Sequence, residues 1–273
     1  MPRSLLWPDP RVKPPFGAAE IDWGHRLAQG LLAAWLLNEG GGPTIDVTRG
    51  LAAAPVGGIA WTPGPGGMTA TFSTTGGKYF AAPKPAYLQQ ATTSVVSRIC
   101  NRGASNQTIA SVNFNGSNVP WRLSLIGASS NGYAFYDGAW HNSGFVTDVT
   151  GDGLVHTIAG SYNGLTLRYY VDGTFDASFA YTGTQSLVNT NTFDIGRYGS
   201  AGFYFDGDIY HVFLYDHALS DEQMYWTSQE PYAFLRPILR RRYFVPAGAN
   251  TAGPLVGYNI LNKSLVGGKL VSA

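Results

Sequence analysis

The 273-residue sequence predicts an all-β fold, a two-sheet antiparallel sandwich of jelly-roll type, on three observations. Leu165, Leu167, Tyr169 and Val171 alternate with Thr166, Arg168 and Tyr170, the period-two pattern of a strand with one face on a core. Asn163-Gly164 and Asp172-Gly173 bracket that run, and both dipeptides supply the φ > 0 positions that tight hairpins need. The composition, with 35 glycines, 14% aromatic and only 13% charged residues, suits many short strands joined by tight turns.

In chain order, strands are expected at 31–37, 59–61, 69–72, 79–81, 93–101, 107–113, 121–126, 132–136, 144–146, 154–162, 165–171, 175–181, 192–196 and 208–215. In the last of these Ile209 is followed by Val212 and Leu214, a three-residue step that predicts a bulge or burial on both faces. One helix is expected after Ser220. Gln223 completes a capping box there, and Leu219 and Met224 stand at the flanking hydrophobic-staple positions.

Residues 1–29 read as an extended N-terminal arm, because Pro2, Pro8, Pro10, Pro14 and Pro15 remove amide donors while Trp7, Phe16 and Trp23 carry large apolar surface. Residues 30–228 form the body. From 229 to 273 a tail mixes arginine with apolar residues, including Phe234, Arg240, Arg241, Arg242, Tyr243 and Phe244. Both extensions either wrap their own sandwich or dock on a neighbouring subunit. The apolar run Leu27–Leu37 is preceded by prolines and ends in Asn38-Glu39-Gly40, which predicts a buried strand and not a signal peptide, and it is too short to cross a bilayer. A formal net charge of +1 gives no global attraction to nucleic acid or an anionic membrane, and the interleaved Pro, Leu and Tyr around Arg240–Arg242 suit protein docking better than nucleic acid. Cys100 stands alone, so packing without an internal disulfide must hold the fold.

The ordered segments His156-Thr157-Ile158-Ala159, Tyr162-Asn163-Gly164, Arg168 to Gly173, Ile195-Gly196-Arg197, Phe205 to Ile209 and Ala218 to Glu222 resemble the second half of a laminin G-like domain of the concanavalin A-like lectin and glucanase superfamily. Gly30 to Gly40 resembles the opening strand and turn of that family. The extensions, with Ile21-Asp22-Trp23, resemble laminin G-like proteins encoded by tailed bacteriophages. The resemblance implies a concanavalin A-like sandwich. With no secretion signal, it also implies a protein assembled in a host cytoplasm and carried on a virion, as a head decoration or tail-associated component, with other virion proteins and further copies of itself as partners.

Glycoside hydrolysis is the family activity to test. Retaining enzymes of the superfamily carry Glu-x-Asp-x-x-Glu or a close variant along a strand, and no such string occurs. Asp206-Gly207-Asp208 is the nearest, and the glutamates (Glu20, Glu39, Glu222, Glu230) all lie in terminal or capping contexts. The histidines lack zinc spacing, and His156 is expected to be a hydrogen-bonded structural residue. The resemblance places a family calcium site near Asp46, where Arg49 replaces the usual small residue and disfavours the ion, so the first expectation is no cofactor, with calcium at Asp46 the alternative. For a cell-surface glycan, the segment ending Asp137, Trp140, His141 and Asn142 is the candidate: an aromatic face for a sugar ring beside polar groups for hydroxyls. A non-enzymatic structural protein is thus expected first, a glycan-binding adhesion module second and a glucanase third.

Overall fold

The structure is a computed structural model. It describes residues 9–238, apart from 65–66, 89, 91, 105, 114–120, 126–131, 138, 184–191 and 200–202, together with 263–266 and 269–272. The strands in chain order are β1 Ala19–Ile21, β2 Leu31–Trp35, β3 Thr44–Ile45, β4 Ala52–Val56, β5 Ala60–Gly64, β6 Gly67–Phe72, β7 Tyr79–Pro83, β8 Thr93–Asn101, β9 Gln107–Asn113, β10 Trp121–Leu125, β11 Gly132–Tyr136, β12 Trp140–Asn142, β13 Val155–Tyr162, β14 Thr166–Val171, β15 Thr174–Ala180, β16 Thr192–Ile195 and β17 Gly207–Tyr215. Helix α1 Asp221–Gln229 follows, then β18 Leu235–Pro237, β19 Lys263–Val266 and β20 Lys269–Ser272.

Two antiparallel sheets face each other. The front sheet runs β12-β11-β10-β9-β16-β7-β4-β3, and the back sheet runs β15-β14-β13-β8-β17-β6-β5 with β2 also paired to β17. Their inward side chains form one core that includes Trp35, Phe80, Trp121, Tyr133, Phe135, Ile158, Phe193 and Ile209. Gly160 of β13 belongs there for a steric reason. A side chain at this position would collide with the Tyr133 ring, which reaches across from the front sheet.

Strand β17 is buried at every residue and its register against β8 shifts between Ile209 and His211, so both alternatives read from the three-residue step occur together. Burial on the outer side has a clear cause. A third layer covers the back sheet, built from the arm, α1 and the chain after it, with Ile21, Leu27, Tyr170, Phe213, Met224, Tyr232 and Phe234 in a second core. The capping box of α1 is formed as expected: Ser220 Oγ accepts from Gln223 N, and Gln223 Oε1 accepts from Ser220 N.

The described part of the arm therefore wraps its own body. β1 pairs with β18, Asn38 Nδ2 donates to Pro14 O at 2.6 Å, and Tyr232 N donates to Pro10 O at 2.9 Å. Buried Lys13 donates from Nζ to Leu37 O at 3.2 Å and to Met68 O at 2.6 Å. Phe16 and Trp23 remain exposed, at 58% and 56%. Phe234, grouped with them in the sequence as an assembly contact, is instead fully buried edge-on against Phe213, 5.2 Å between ring centres. Trp7, Arg240, Arg241, Arg242, Tyr243 and Phe244 lie outside the described residues. The chain divides into two units, Met1–Ile238 and Leu239–Ala273, the second holding the β19–β20 hairpin.

Local expectations change at two places. Leu165 is 63% exposed because the β13–β14 loop is longer than two residues: Tyr162 pairs with Leu167, and Asn163 Oδ1 accepts from the amides of Leu165 and Thr166. Asp172-Gly173, with φ of 52° and 79°, is the tight two-residue turn, with Val171 opposite Thr174. Residues 144–146 are loop, and the edge strand lies earlier at β12, where Trp140 pairs with Tyr136.

Candidate functional site on the outer face of the front sheet

Strand alternation decides which side chains leave the core. In β10, Trp121, Leu123 and Leu125 point inward, so Arg122 and Ser124 occupy the outer face. Register then aligns a row across the sheet: Asn142 opposite Ala134, Ala134 opposite Arg122, Arg122 opposite Ser111, Ser111 opposite Asp194, and Asp194 opposite Ala81. Arg122, Ser111 and Asp194 are buried although they face away from the core. Around them stand the half-buried rings of Tyr79, Tyr136, Trp140 and Tyr198.

The Arg122 guanidinium lies 4.1 Å from the Trp140 ring centre and 5.0 Å from that of Tyr198, and the two rings meet edge to face at 5.7 Å. Tyr136 adds a third ring 5.1 Å from Trp140. On the far side of the row, Asp194 Oδ2 accepts from Arg197 Nε at 2.9 Å and Nη2 at 2.7 Å, while the Arg197 guanidinium sits 3.6 Å from the Tyr79 ring centre. Burial pulls the Arg122 pKa down, and Tyr198 opposes that shift. Among the described residues, Arg122 Nε, Asn142 Oδ1 and Thr192 Oγ1 are buried polar atoms on this face with no hydrogen-bond partner.

The four residues picked from the sequence separate by strand parity. Trp140 and Asn142 join the outer face. His141 turns the other way and stacks on Tyr181 at 4.3 Å, with Nε2 2.9 Å from Asp137 Oδ1. Asp137 Oδ2 also accepts from Tyr181 OH at 2.7 Å, and the bonds from Tyr181 and His141 hold this carboxyl below the usual range. Asp137 and His141 thus brace the sheet edge, apart from Trp140. Sequence reasoning missed Arg122, Ser111, Asp194, Arg197 and Tyr198. The available signal was a lone arginine on the polar side of an apolar alternation, Trp-Arg-Leu-Ser-Leu, but cross-strand register alone joins it to the others.

Asp46 does not fit a calcium site. It is fully buried, its Oδ1 accepts from the amides of Ala34 and Thr48, and its Oδ2 accepts from Thr48 Oγ1 and the Arg49 amide. The carboxylate is spent organising its own loop, and the Arg49 guanidinium stacks on Tyr87 at 4.4 Å. Asp208 is likewise committed. Burial raises its pKa, but a two-pronged pairing with Arg102 at 2.6 and 2.8 Å and a bond from Thr71 Oγ1 bring it below the ordinary value. His156 has the structural role expected of it, bridging Asp172 at 2.7 Å and Asp152 at 2.8 Å. Among the described residues no helix is long and apolar enough to cross a membrane.

Sequence comparison agrees with this architecture. The sequence model of the concanavalin A-like lectin/glucanases superfamily, in its laminin G form, matches residues 74–224, more than half of the chain. The chain belongs to that superfamily. No curated protein matches it. Among solved structures, domain 4 of AbnA, a GH43 extracellular arabinanase from Geobacillus stearothermophilus in complex with arabinotriose, superposes with a TM-score of 0.60 at 16% identity, covering 78% of this chain and 100% of that domain. The binding domain of Paraclostridial Mosquitocidal Protein 1 gives 0.60 at 11% identity, with 74% of this chain and 52% of that one covered. A structure of botulinum neurotoxin type C, whose cell entry depends on interaction with two ganglioside molecules, gives 0.55 at 12% identity, with 74% and 51% covered. The match thus spans about half the length of these two toxin chains, and at such identities the likeness shows the shared fold.

Proposed function

We propose that this lectin-like sandwich binds glycan on the outer face of its front sheet and does not hydrolyse it. The carrying observation is the cluster of Tyr136, Trp140 and Tyr198 rings over a row of buried polar side chains, with apolar faces for a sugar ring and orphan polar atoms for its hydroxyls. The arabinotriose complex and the ganglioside dependence of the structural neighbours support the same reading. Hydrolysis by the retaining route needs two carboxyl groups about 5 Å apart. On the described outer face the row carries Asp194, and that carboxylate is held by Arg197. A glycan array with the full chain, followed by calorimetry on Trp140→Ala, tests the proposal: binding lost with the ring removed supports it. Unchanged binding by Trp140→Ala, or turnover of a bound glycan by the wild-type protein, overturns it.

A second reading concerns how the module is displayed. The chain beyond Ile238 forms its own unit, which suits an anchor on a phage particle, and exposed Phe16 and Trp23 offer contact surface to another virion protein or a further copy of the chain. Mass spectrometry of purified particles decides this reading, since absence of the protein from them removes it.

A further inference from the structure

Arg122 sets a problem of charge balance that glycan binding in general does not solve. Arg26, Arg102, Arg168, Arg197 and Arg236 each pair with a carboxylate at 2.6–2.9 Å. Arg122 is only 6% exposed, more buried than its ring neighbours, and forms no ion pair with any described carboxylate. Asp194, two strands along the same row, is turned to Arg197. A buried cation without a counter-ion is costly, and the faces of two rings offset part of that cost without supplying a negative charge. The chain therefore holds a guanidinium aligned by two rings, with its Nε unmatched. Across Ala134, which contributes no side chain beyond Cβ, the same row presents Asn142 Oδ1, an acceptor lacking a donor.

We infer that this site takes an acidic sugar, a sialic or uronic acid residue, with its carboxylate on Arg122 and a hydroxyl on Asn142. The inference rests on the glycan-binding reading and specifies its ligand. The planar guanidinium fork matches the planar carboxylate. The ring faces of Trp140 and Tyr198 fix the fork while presenting apolar surface to the sugar.

The test uses the full chain and matched probes: sialyllactose against lactose, and oligogalacturonate against its carboxyl-reduced form, with sulfated lactose as a non-carboxylate anion. At least one acidic member should bind about tenfold or more tighter than its neutral partner, the preference should collapse in Arg122→Gln, and Arg122→Lys should retain part of it. Should Arg122→Gln fail to fold, an ionic-strength series on the wild-type protein serves instead: affinity for the acidic probe weakens with salt and affinity for the neutral probe does not. Equal affinity for acidic and neutral partners, equal affinity for sulfated lactose, or a preference that survives Arg122→Gln overturns the inference and leaves glycan binding standing. Absence of binding to every probe, confirmed on the array, overturns both.

Discussion

Trp35 and Phe193 stack across the sandwich, ring centres 4.7 Å apart and planes 10° from parallel, with Trp35 on β2 of the back sheet and Phe193 on β16 of the front sheet. Phe193 also meets Trp121 edge to face at 5.8 Å, so this stack lies directly beneath the strand that carries Arg122. Trp35→Ala should destabilise the protein by about 3–5 kcal/mol, and chemical denaturation measures it. A loss under about 1 kcal/mol would mean that the sheets are held elsewhere.

The two ends of the chain should behave differently on truncation. Removing residues 1–24 takes away β1, the Lys13 clamp and the cover over Tyr232 and Phe234, and should lower stability by at least about 3 kcal/mol. Removing Leu239–Ala273, a unit of its own, should leave the cooperative melt in place. Thermal melts of both truncations check the contrast, and a stable body without its first 24 residues would contradict it.

Lys13 makes stability depend on pH with a definite sign. Burial pulls its pKa down to about 7, against the opposing pull of Glu39. In the unfolded chain a lysine titrates near 10.4. Between these values the unfolded state binds more protons, so stability should rise with pH, by up to about 2.5 kcal/mol from pH 7 to 9. Urea midpoints at the two pH values measure the slope, and Lys13→Met should flatten it. A midpoint that falls over this interval would contradict the placement of Lys13.

Trp140 is neither a core residue nor a free surface ring. Trp140→Ala should therefore cost about 1 kcal/mol, the scale of a partly shielded cation–π contact, while abolishing glycan binding. A loss in the 3–5 kcal/mol range of a deleted core aromatic, read in the same denaturation assay, would assign Trp140 to the core.

Much of this architecture was legible because local rules and tertiary context agree. Strands β8, β9 and β11 fall where alternation and turn residues place them, and the Ser220–Gln223 box marks the helix start. Where they diverged, a distant segment decided. Tyr170 alternates out of the sandwich core yet is buried, because α1 lies over it and Asp221 accepts its hydroxyl at 2.8 Å. Phe234 looked like a docking residue because its partner, Phe213, is distant in sequence. The candidate site divided in the same way. Trp140 and Asn142 were visible as an aromatic and an amide in one loop, whereas Arg122, Ser111 and Asp194 come from three strands and meet through register alone.

Glycan binding on the outer face of the front sheet around Arg122 can be observed residue by residue. Backbone and side-chain NMR shifts, followed as an acidic oligosaccharide found on the array is titrated into the full chain, test it most directly. The largest changes should fall on the Trp140 indole N–H, the Arg122 guanidinium and the Asn142 amide, with Asp137 and His141 little affected. Saturable changes centred elsewhere, with those three groups unmoved, would contradict it.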